Sequence, residues 1–176
     1  TDKMIVSLGN LFRHNLRTKQ QEVTLEEELD GLEDYIYLQQ MRFDGRITVE
    51  KQILVDPVRA RLPSFTLQPV IENAFSHGLK ACEEGGRILL RVWRQGRMLY
   101  VTVADNGKGM TEEELAALSE KMRQSEQTGK SIGLGNIFRR VSMLYPDTGK
   151  MQVFSRAGHG TVIRFEIPQG EEEERA

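Results

Sequence analysis

Three short segments hold residues whose types and spacing could do chemistry. Asp105-Asn106-Gly107-Lys108-Gly109-Met110 follows directly on a strand-like stretch. An Asp at a strand end can offer a carboxylate oxygen to an exocyclic amine, and the glycines beyond it let backbone approach a ligand and let the next segment hinge. An ordinary Asp-Asn-Gly turn accounts for the same residues. In Leu67-Gln68-Pro69-Val70-Ile71-Glu72-Asn73-Ala74-Phe75-Ser76-His77-Gly78, helical spacing puts Asn73 and His77 one turn apart on one face. Gln68 and Glu72 share a neighbouring face, and Leu67, Val70, Ile71 and Ala74 take the opposite side. An Asn oxygen can complete the shell of a Mg2+ that otherwise holds water and phosphate, although a solvent-facing polar stripe is the plainer account of a lone Asn. The third segment, Gly129-Lys130-Ser131-Ile132-Gly133-Leu134-Gly135-Asn136, runs into a helix. Successive backbone N–H groups at a helix start attract phosphate, and Lys130 adds a cation. The P-loop order is absent, as is the dinucleotide fingerprint, so a flexible loop competes with the anion-binding reading.

These segments need elements to hold them. Residues 3–17 carry Met4, Ile5, Leu8, Leu11, Phe12 and Leu16 at helical spacing. Thr24-Leu25-Glu26-Glu27 is a capping box that opens a second helix, with an apolar stripe of Leu25, Leu29, Leu32, Ile36 and Phe43 joined by Tyr35. Asp44-Gly45 ends it. A strand is expected over 47–55, a helix over 66–82, and strands over 87–94 and 99–104 joined by a turn at Gln95-Gly96-Arg97. Thr111 caps a helix to Met122, with Glu113 and Glu114 in its first turn. Residues 124–131 read as a polar loop. A helix over 134–144 stops at Pro146. Strands 151–155 and 161–167 close the chain around Gly158-His159-Gly160. Adjacent hairpins predict a mostly antiparallel or mixed sheet with helices on one face, an α+β two-layer sandwich.

Bulk composition excludes several classes. The 176 residues carry 24 Lys and Arg against 26 Asp and Glu, a net charge of -2. The basic residues are scattered, so no nucleic-acid partner is expected. The single cysteine, Cys82, can form no internal disulfide. Three histidines and one cysteine show no metal-ligand spacing, so zinc is not expected. No apolar run approaches the roughly 20 residues of a membrane helix, and no signal peptide is visible. The chain begins at Thr1 and reads as a fragment. The run Glu171 to Glu174 reads as a solvated tail.

Taken together, the Asn73, Asp105 and Gly129–Asn136 segments resemble, in order and spacing, the N, G1 and G2 boxes of the Bergerat-fold ATPases. That superfamily includes gyrase, heat-shock protein 90, histidine kinases and the mismatch-repair ATPase. Gly158-His159-Gly160-Thr161 is similar to its late Gly-x-Gly-Thr element. The segments Tyr37-Leu38-Gln39-Gln40-Met41-Arg42-Phe43 and Leu67 to Ala74 with His77-Gly78 resemble the LytS/YesM-type sensor histidine kinases. The resemblance runs from about Ser7 to Pro168.

It implies a Bergerat fold, a mixed sheet covered by helices and preceded by a helical segment. Residues 1–45 would be the end of the dimerisation and phosphoacceptor region, 46–168 the catalytic ATP-binding domain, and 169–176 an acidic tail. ATP and Mg2+ would be the cofactors. Asp105 would accept from the adenine amine, with Thr161 nearby through water, and Asn73 would bind the Mg2+ that bridges the phosphates. His77 would reach ribose or phosphates. Gly107 and Gly109 would flank adenine and begin a lid over about Met110 to Ile132. Lys130, Ser131, Gly133, Leu134 and Gly135 would meet the phosphates, and Glu72 would be the candidate to polarise an attacking imidazole.

Two departures matter. One turn before Asn73, where gyrase-like ATPases carry the general base, stands Pro69. A proline cannot activate water, whereas a neutral histidine nucleophile needs little activation. Ser131 replaces a glycine common in relatives. The F box of other histidine kinases is not evident. The phosphoacceptor motif would lie upstream of Thr1; His14 reads as a helix-face histidine and His159 as a turn residue. By the same resemblance the parent is a homodimer, a bacterial inner-membrane sensor with this part in the cytoplasm, joined to the membrane only through missing N-terminal segments. It would pass the phosphoryl group to a response regulator. Two rival readings are another Bergerat enzyme, such as a serine kinase or ATPase clamp, and a nucleotide-binding scaffold without phosphotransfer.

Overall fold

The structure, a computed structural model, describes residues 4–6, 9, 21–83, 85–128 and 133–170, with the side chains of 125–128 left out. Residues 4–6 and 9 are helical; the rest of the expected helix over 3–17, including His14, lies outside the described residues, as does the acidic run 171–174.

A short strand, β1 (Glu22–Thr24), leads into helix α1 (Leu25–Arg42). The capping box forms as the sequence predicts. Glu27 N–H donates to Thr24 Oγ1 at 3.2 Å, and Thr24 N–H donates to Glu27 Oε2 at 2.9 Å. Leu25, Leu32, Tyr35 and Ile36 are buried, each such side chain contributing about 1.5–3 kcal/mol. Leu29 is only half-buried; Glu28 and Gly31 are the other buried positions of the helix. The helix ends where Asp44 and Gly45 turn into the left-handed region, at φ 53° and 70°.

The main sheet holds β2 (Ile47–Ile53), β4 (Gly86–Gln95), β5 (Met98–Asp105), β6 (Lys150–Arg156) and β7 (Gly160–Pro168), in the order β2-β4-β5-β7-β6. β2 pairs with β4 in parallel and the other pairs are antiparallel, so the sheet is mixed. Its inner face carries Ile88, Leu90 and Val92, then Leu99, Val101 and Val103, then Ile163, Phe165 and Ile167, all buried. Helices α1, α2 (Leu67–Asn73) and α4 (Leu134–Leu144) supply the other half of that core. Phe75 is fully buried, stacked on Phe43 with centroids 5.7 Å apart and edge-on to Tyr35 at 6.3 Å. The result is a two-layer α+β sandwich.

Three expectations differ from the structure, and one feature is not expected at all. The strand expected over 47–55 ends at Ile53. The helix expected over 66–82 is α-helical only to Asn73, then widens into a π-helical turn, Ala74–Gly78. There the Leu79 N–H reaches back five residues to the Ala74 carbonyl at 2.9 Å, while Lys108 N–H takes the Gly78 carbonyl at 3.0 Å and draws the chain off the helix axis. The polar stretch 124–131 is not a loop throughout: α3 (Glu112–Thr128) continues through Gln124–Thr128. Finally, β1 and β3 (Arg61–Pro63) form an unexpected two-stranded ladder.

Candidate nucleotide site

Strand alternation decides the environment of Asp105. Leu99, Val101 and Val103 face the core, so Asp105, two residues on, points to the same inner side at the end of the central strand. Burial there pushes its carboxyl pKa up from the ordinary value, opposed by the Gly107 and Thr161 backbone N–H groups. The Gly107 N–H donates to Asp105 Oδ1 at 2.8 Å. Thr161 stands opposite Asp105 in the β5–β7 ladder and is buried.

Close packing around the carboxylate requires glycine at two positions. A Cβ on Gly78 would come 2.7 Å from Asp105 Oδ1, and a Cβ on Gly107 only 2.1 Å from the Gly78 carbonyl oxygen. The π-helical turn is thereby seated on the Asp105–Lys108 loop. Gly109 is buried against the Arg156 carbonyl, and Lys108 is fastened to the following hairpin by the Gly158 N–H at 2.7 Å. Asn106 faces away from the carboxylate. Its side chain accepts from Arg87 N–H at 2.7 Å and donates to the Gly85 carbonyl at 3.0 Å, tying the loop to β4.

Hydrogen bonding and close packing therefore bring together Asp105, Gly107, Gly109 and Thr161 with Gly78. Asn73, half-buried at the end of α2, and His77, exposed within the π-helical turn, join it through the backbone of that turn. Glu72 is exposed, and its charge helps raise the pKa of the buried Tyr35 hydroxyl, after burial itself. Gly133, at φ 69°, is the N-cap of α4, and Leu134 and Gly135 are buried in its first turn. α4 is anchored at its other end, where the Arg140 guanidinium donates to the Ser64 carbonyl and the Tyr145 hydroxyl to the Glu22 carboxylate. Lys130 and Ser131 lie outside the described residues.

Two contributors escaped the sequence reading. Ser155 is the inward residue after Met151 and Val153 in β6. Its hydroxyl donates to the Gly160 carbonyl at 2.9 Å, accepts from the Met110 N–H at 2.9 Å, and lies 2.8 Å from Thr161 Oγ1. It thus joins the start of the expected lid to the strand carrying Thr161. A serine on an otherwise apolar alternation was the available signal. The other is Glu28, whose carboxylate reaches the start of α2. A charged residue three after Leu25 and four before Leu32, on the apolar stripe itself, was the signal there.

The family profile described as histidine kinase-, DNA gyrase B- and HSP90-like ATPase matches residues 64–171. The chain belongs to this ATPase family. A profile for histidine kinase matches residues 1–47, ahead of the ATPase-like part. The sensor protein kinase HptS of Staphylococcus aureus is 30% identical over 165 residues, covering 94% of this chain and 32% of that protein. The chain thus spans about a third of the relative's length. Solved structures share the ATPase-family fold at low identity. Acinetobacter baumannii histidine kinase AdeS aligns over 95% of this chain and 77% of its own, with 12% identity and a TM-score of 0.58. Histidine kinase ThkA, solved in complex with the response regulator protein TrrA, aligns over 97% of this chain and 49% of its own, with 20% identity and a TM-score of 0.55.

Proposed function

We propose that this chain is the ATP-binding catalytic part of a sensor histidine kinase, of the LytS/YesM type. It would transfer the ATP γ-phosphate to a histidine upstream of Thr1 and from there to a response regulator. The observation that carries the reading is the half-desolvated Asp105 carboxylate at the end of the central strand, on the inner face of the sheet, with side-chain-free Gly78 and Gly107 packed around it. A fixed acceptor in such surroundings suits a planar base with an exocyclic amine, since a glycine-lined wall lets a ring approach backbone closely.

The residues fit the nucleotide and its metal. Asp105 would accept from the adenine amine, with Thr161 beside it. Asn73 would offer a neutral oxygen to Mg2+, and His77 would face ribose or phosphate. Gly107 and Gly109 would flank the base. Gly133, Leu134 and Gly135 would turn backbone N–H groups toward phosphate at the start of α4, with Lys130 and Ser131 preceding them. Bound Mg2+ would supply neutralisation of phosphate charge, which together with positioning accounts for most of phosphoryl-transfer catalysis. Glu72, exposed beside Asn73, is the candidate to polarise the attacking imidazole. Pro69 leaves no carboxylate one turn before Asn73, which favours transfer to a histidine over activation of water.

The profile matches at 1–47 and 64–171 support a division near residue 45 between a phosphoacceptor-side helical part and the catalytic domain. The homodimer, the response regulator and a membrane-anchored parent with this part in the cytoplasm belong to the same proposal. No described helix is long and apolar enough to cross a membrane.

Calorimetric titration with Mg-ADP, a non-hydrolysable ATP analogue and GTP tests the reading. Adenine-selective binding strengthened by Mg2+ is expected. Failure to bind any of the three would overturn it.

A further inference from the structure

Helix α2, which carries Asn73, does not cap itself. Its N-cap residue, Thr66, makes no side-chain hydrogen bond to the helix; the hydroxyl donates instead to the Pro63 carbonyl at 2.5 Å. The orphan N–H groups at the helix start are taken by Glu28 of α1. Phe65 N–H donates to Glu28 Oε1 at 2.7 Å, and Thr66 and Leu67 N–H donate to Oε2 at 3.0 and 2.9 Å. Glu28 is 4% exposed. A buried carboxylate receiving three backbone donors at a helix N-terminus combines charge-assisted hydrogen bonding with a favourable helix dipole. It is correspondingly hard to displace, because a buried charge left without those donors is costly.

The same helix α1, with its C-cap residue Phe43, also grips the far end of this segment, where Tyr35 and Phe43 enclose Phe75 in the π-helical turn. α1 itself is tied down at its start, where Leu25 and Glu26 N–H donate to the Ala60 and Pro57 carbonyls at 2.8 and 3.0 Å. The stretch bearing Asn73 is thus held at two points by one helix, a polar point at its start and an aromatic one at its end. Glu28 lies in the segment matched by the histidine kinase profile, and its three donors lie in the segment matched by the ATPase profile.

We propose that Glu28 is a positioning residue for the nucleotide site: its carboxylate sets the place of α2, and through it the place of Asn73 relative to Asp105 on the sheet. The inference rests on the nucleotide-binding reading above and adds to it a residue on the phosphoacceptor side of the chain. Loss of the Glu28 grip at the start of α2 would then alter metal-assisted phosphate binding, while the aromatic grip at the other end keeps the π-helical turn, and with it adenine recognition at Asp105, in place.

The test is titration of ADP, with and without Mg2+, into the wild-type chain, Glu28→Gln and Glu27→Ala. Gln keeps the volume but replaces one acceptor with an N–H2 aimed at donors. Glu27→Ala weakens the same helix through its capping box and serves as the control for stability alone. Glu28→Gln is expected to lose about tenfold of the Mg2+ enhancement, the scale of one weakened charge-assisted hydrogen bond, with Mg2+-free affinity unchanged. Glu27→Ala should melt earlier and keep both affinities. Wild-type Mg2+ enhancement in folded Glu28→Gln would sink the positioning role alone; a wild-type chain that binds no nucleotide would remove the functional reading and this inference with it. Amide exchange on the wild-type chain decides the matter for a variant that does not fold. Mg-ADP should raise protection at Phe65, Thr66 and Leu67, and unchanged protection there under saturating Mg-ADP would overturn the proposal.

Discussion

The Asp105 carboxylate lies directly against the α-carbon of Gly78, so close that one added methyl would sit 2.7 Å from Oδ1. The end of the central strand and the π-helical turn meet at that point. Gly78→Ala should therefore displace the carboxylate or the turn, cost about 1–3 kcal/mol by overpacking, and weaken adenine nucleotide binding. Thermal melting and titration with ADP check it; a variant unchanged in both would show that the contact is dispensable. Gly107→Ala should be worse, because its methyl meets backbone at 2.1 Å rather than a side chain that can rotate.

Asp105→Asn separates stability from binding. Burial raises the Asp105 pKa in the folded chain. Its contribution to stability is therefore present below the unfolded-state pKa and lost as pH rises through the folded value. At neutral pH the ionised carboxylate burdens the free protein, so Asp105→Asn should melt no lower than wild type at pH 7. The difference should close as pH falls toward the ordinary carboxyl range near about 4. Adenine nucleotide affinity should drop in the variant at pH 7, and in wild type as the carboxyl protonates. Undiminished affinity of Asp105→Asn would contradict the assigned role.

Asn73→Ala removes the one neutral oxygen proposed for the metal. Binding of Mg2+-free ADP should persist, and the gain on adding Mg2+ should shrink by about tenfold, the equivalent of roughly 1.4 kcal/mol. A wild-type response to Mg2+ in this variant would rule the ligand assignment out.

Thr24→Ala should be a stability change alone. It removes the hydroxyl that accepts from Glu27 N–H, at about 1 kcal/mol, or roughly 2–4 °C in melting temperature for a chain of this size. Nucleotide affinity in the folded variant should match wild type.

The features legible in the sequence are those set by local chemistry. The capping box of α1, the 134–144 helix and the turn at Gln95-Gly96-Arg97 each depend on residues within a few positions of one another. The strands of β1 and β3 are three residues long, too short to display a period, and exist only because they pair with each other. The extension of α3 through Gln124–Thr128 is hidden by its polarity, which resembles that of a loop, although Gln and Glu are good helix formers. The π-helical turn depends on a contact between residues far apart, Gly78 and Lys108, which no window on residues 66–82 contains. Asp105 is legible as a carboxylate at a strand end, whereas its burial depends on the helical layer packed over the sheet. Glu28 is hard to read from sequence because a glutamate in a capped helix looks solvent-facing unless its neighbours Leu25 and Leu32 are counted.

The parallel pairing of β2 with β4 also has a consequence for the order of assembly. β4–β5 and β6–β7 are hairpins and can close locally, whereas Ile47 can meet Gly86 only after the crossover carrying β3, α2 and the π-helical turn has been gathered between them. Closing that loop costs entropy before any pairing returns it. The antiparallel strands should therefore gain exchange protection first in a pulse-labelling experiment, with β2 and α2 following. On that ordering the proposed nucleotide helix is among the last pieces to arrive. A bound nucleotide would then act as a seal on the finished chain, retarding the unfolding of that edge far more than it hastens folding.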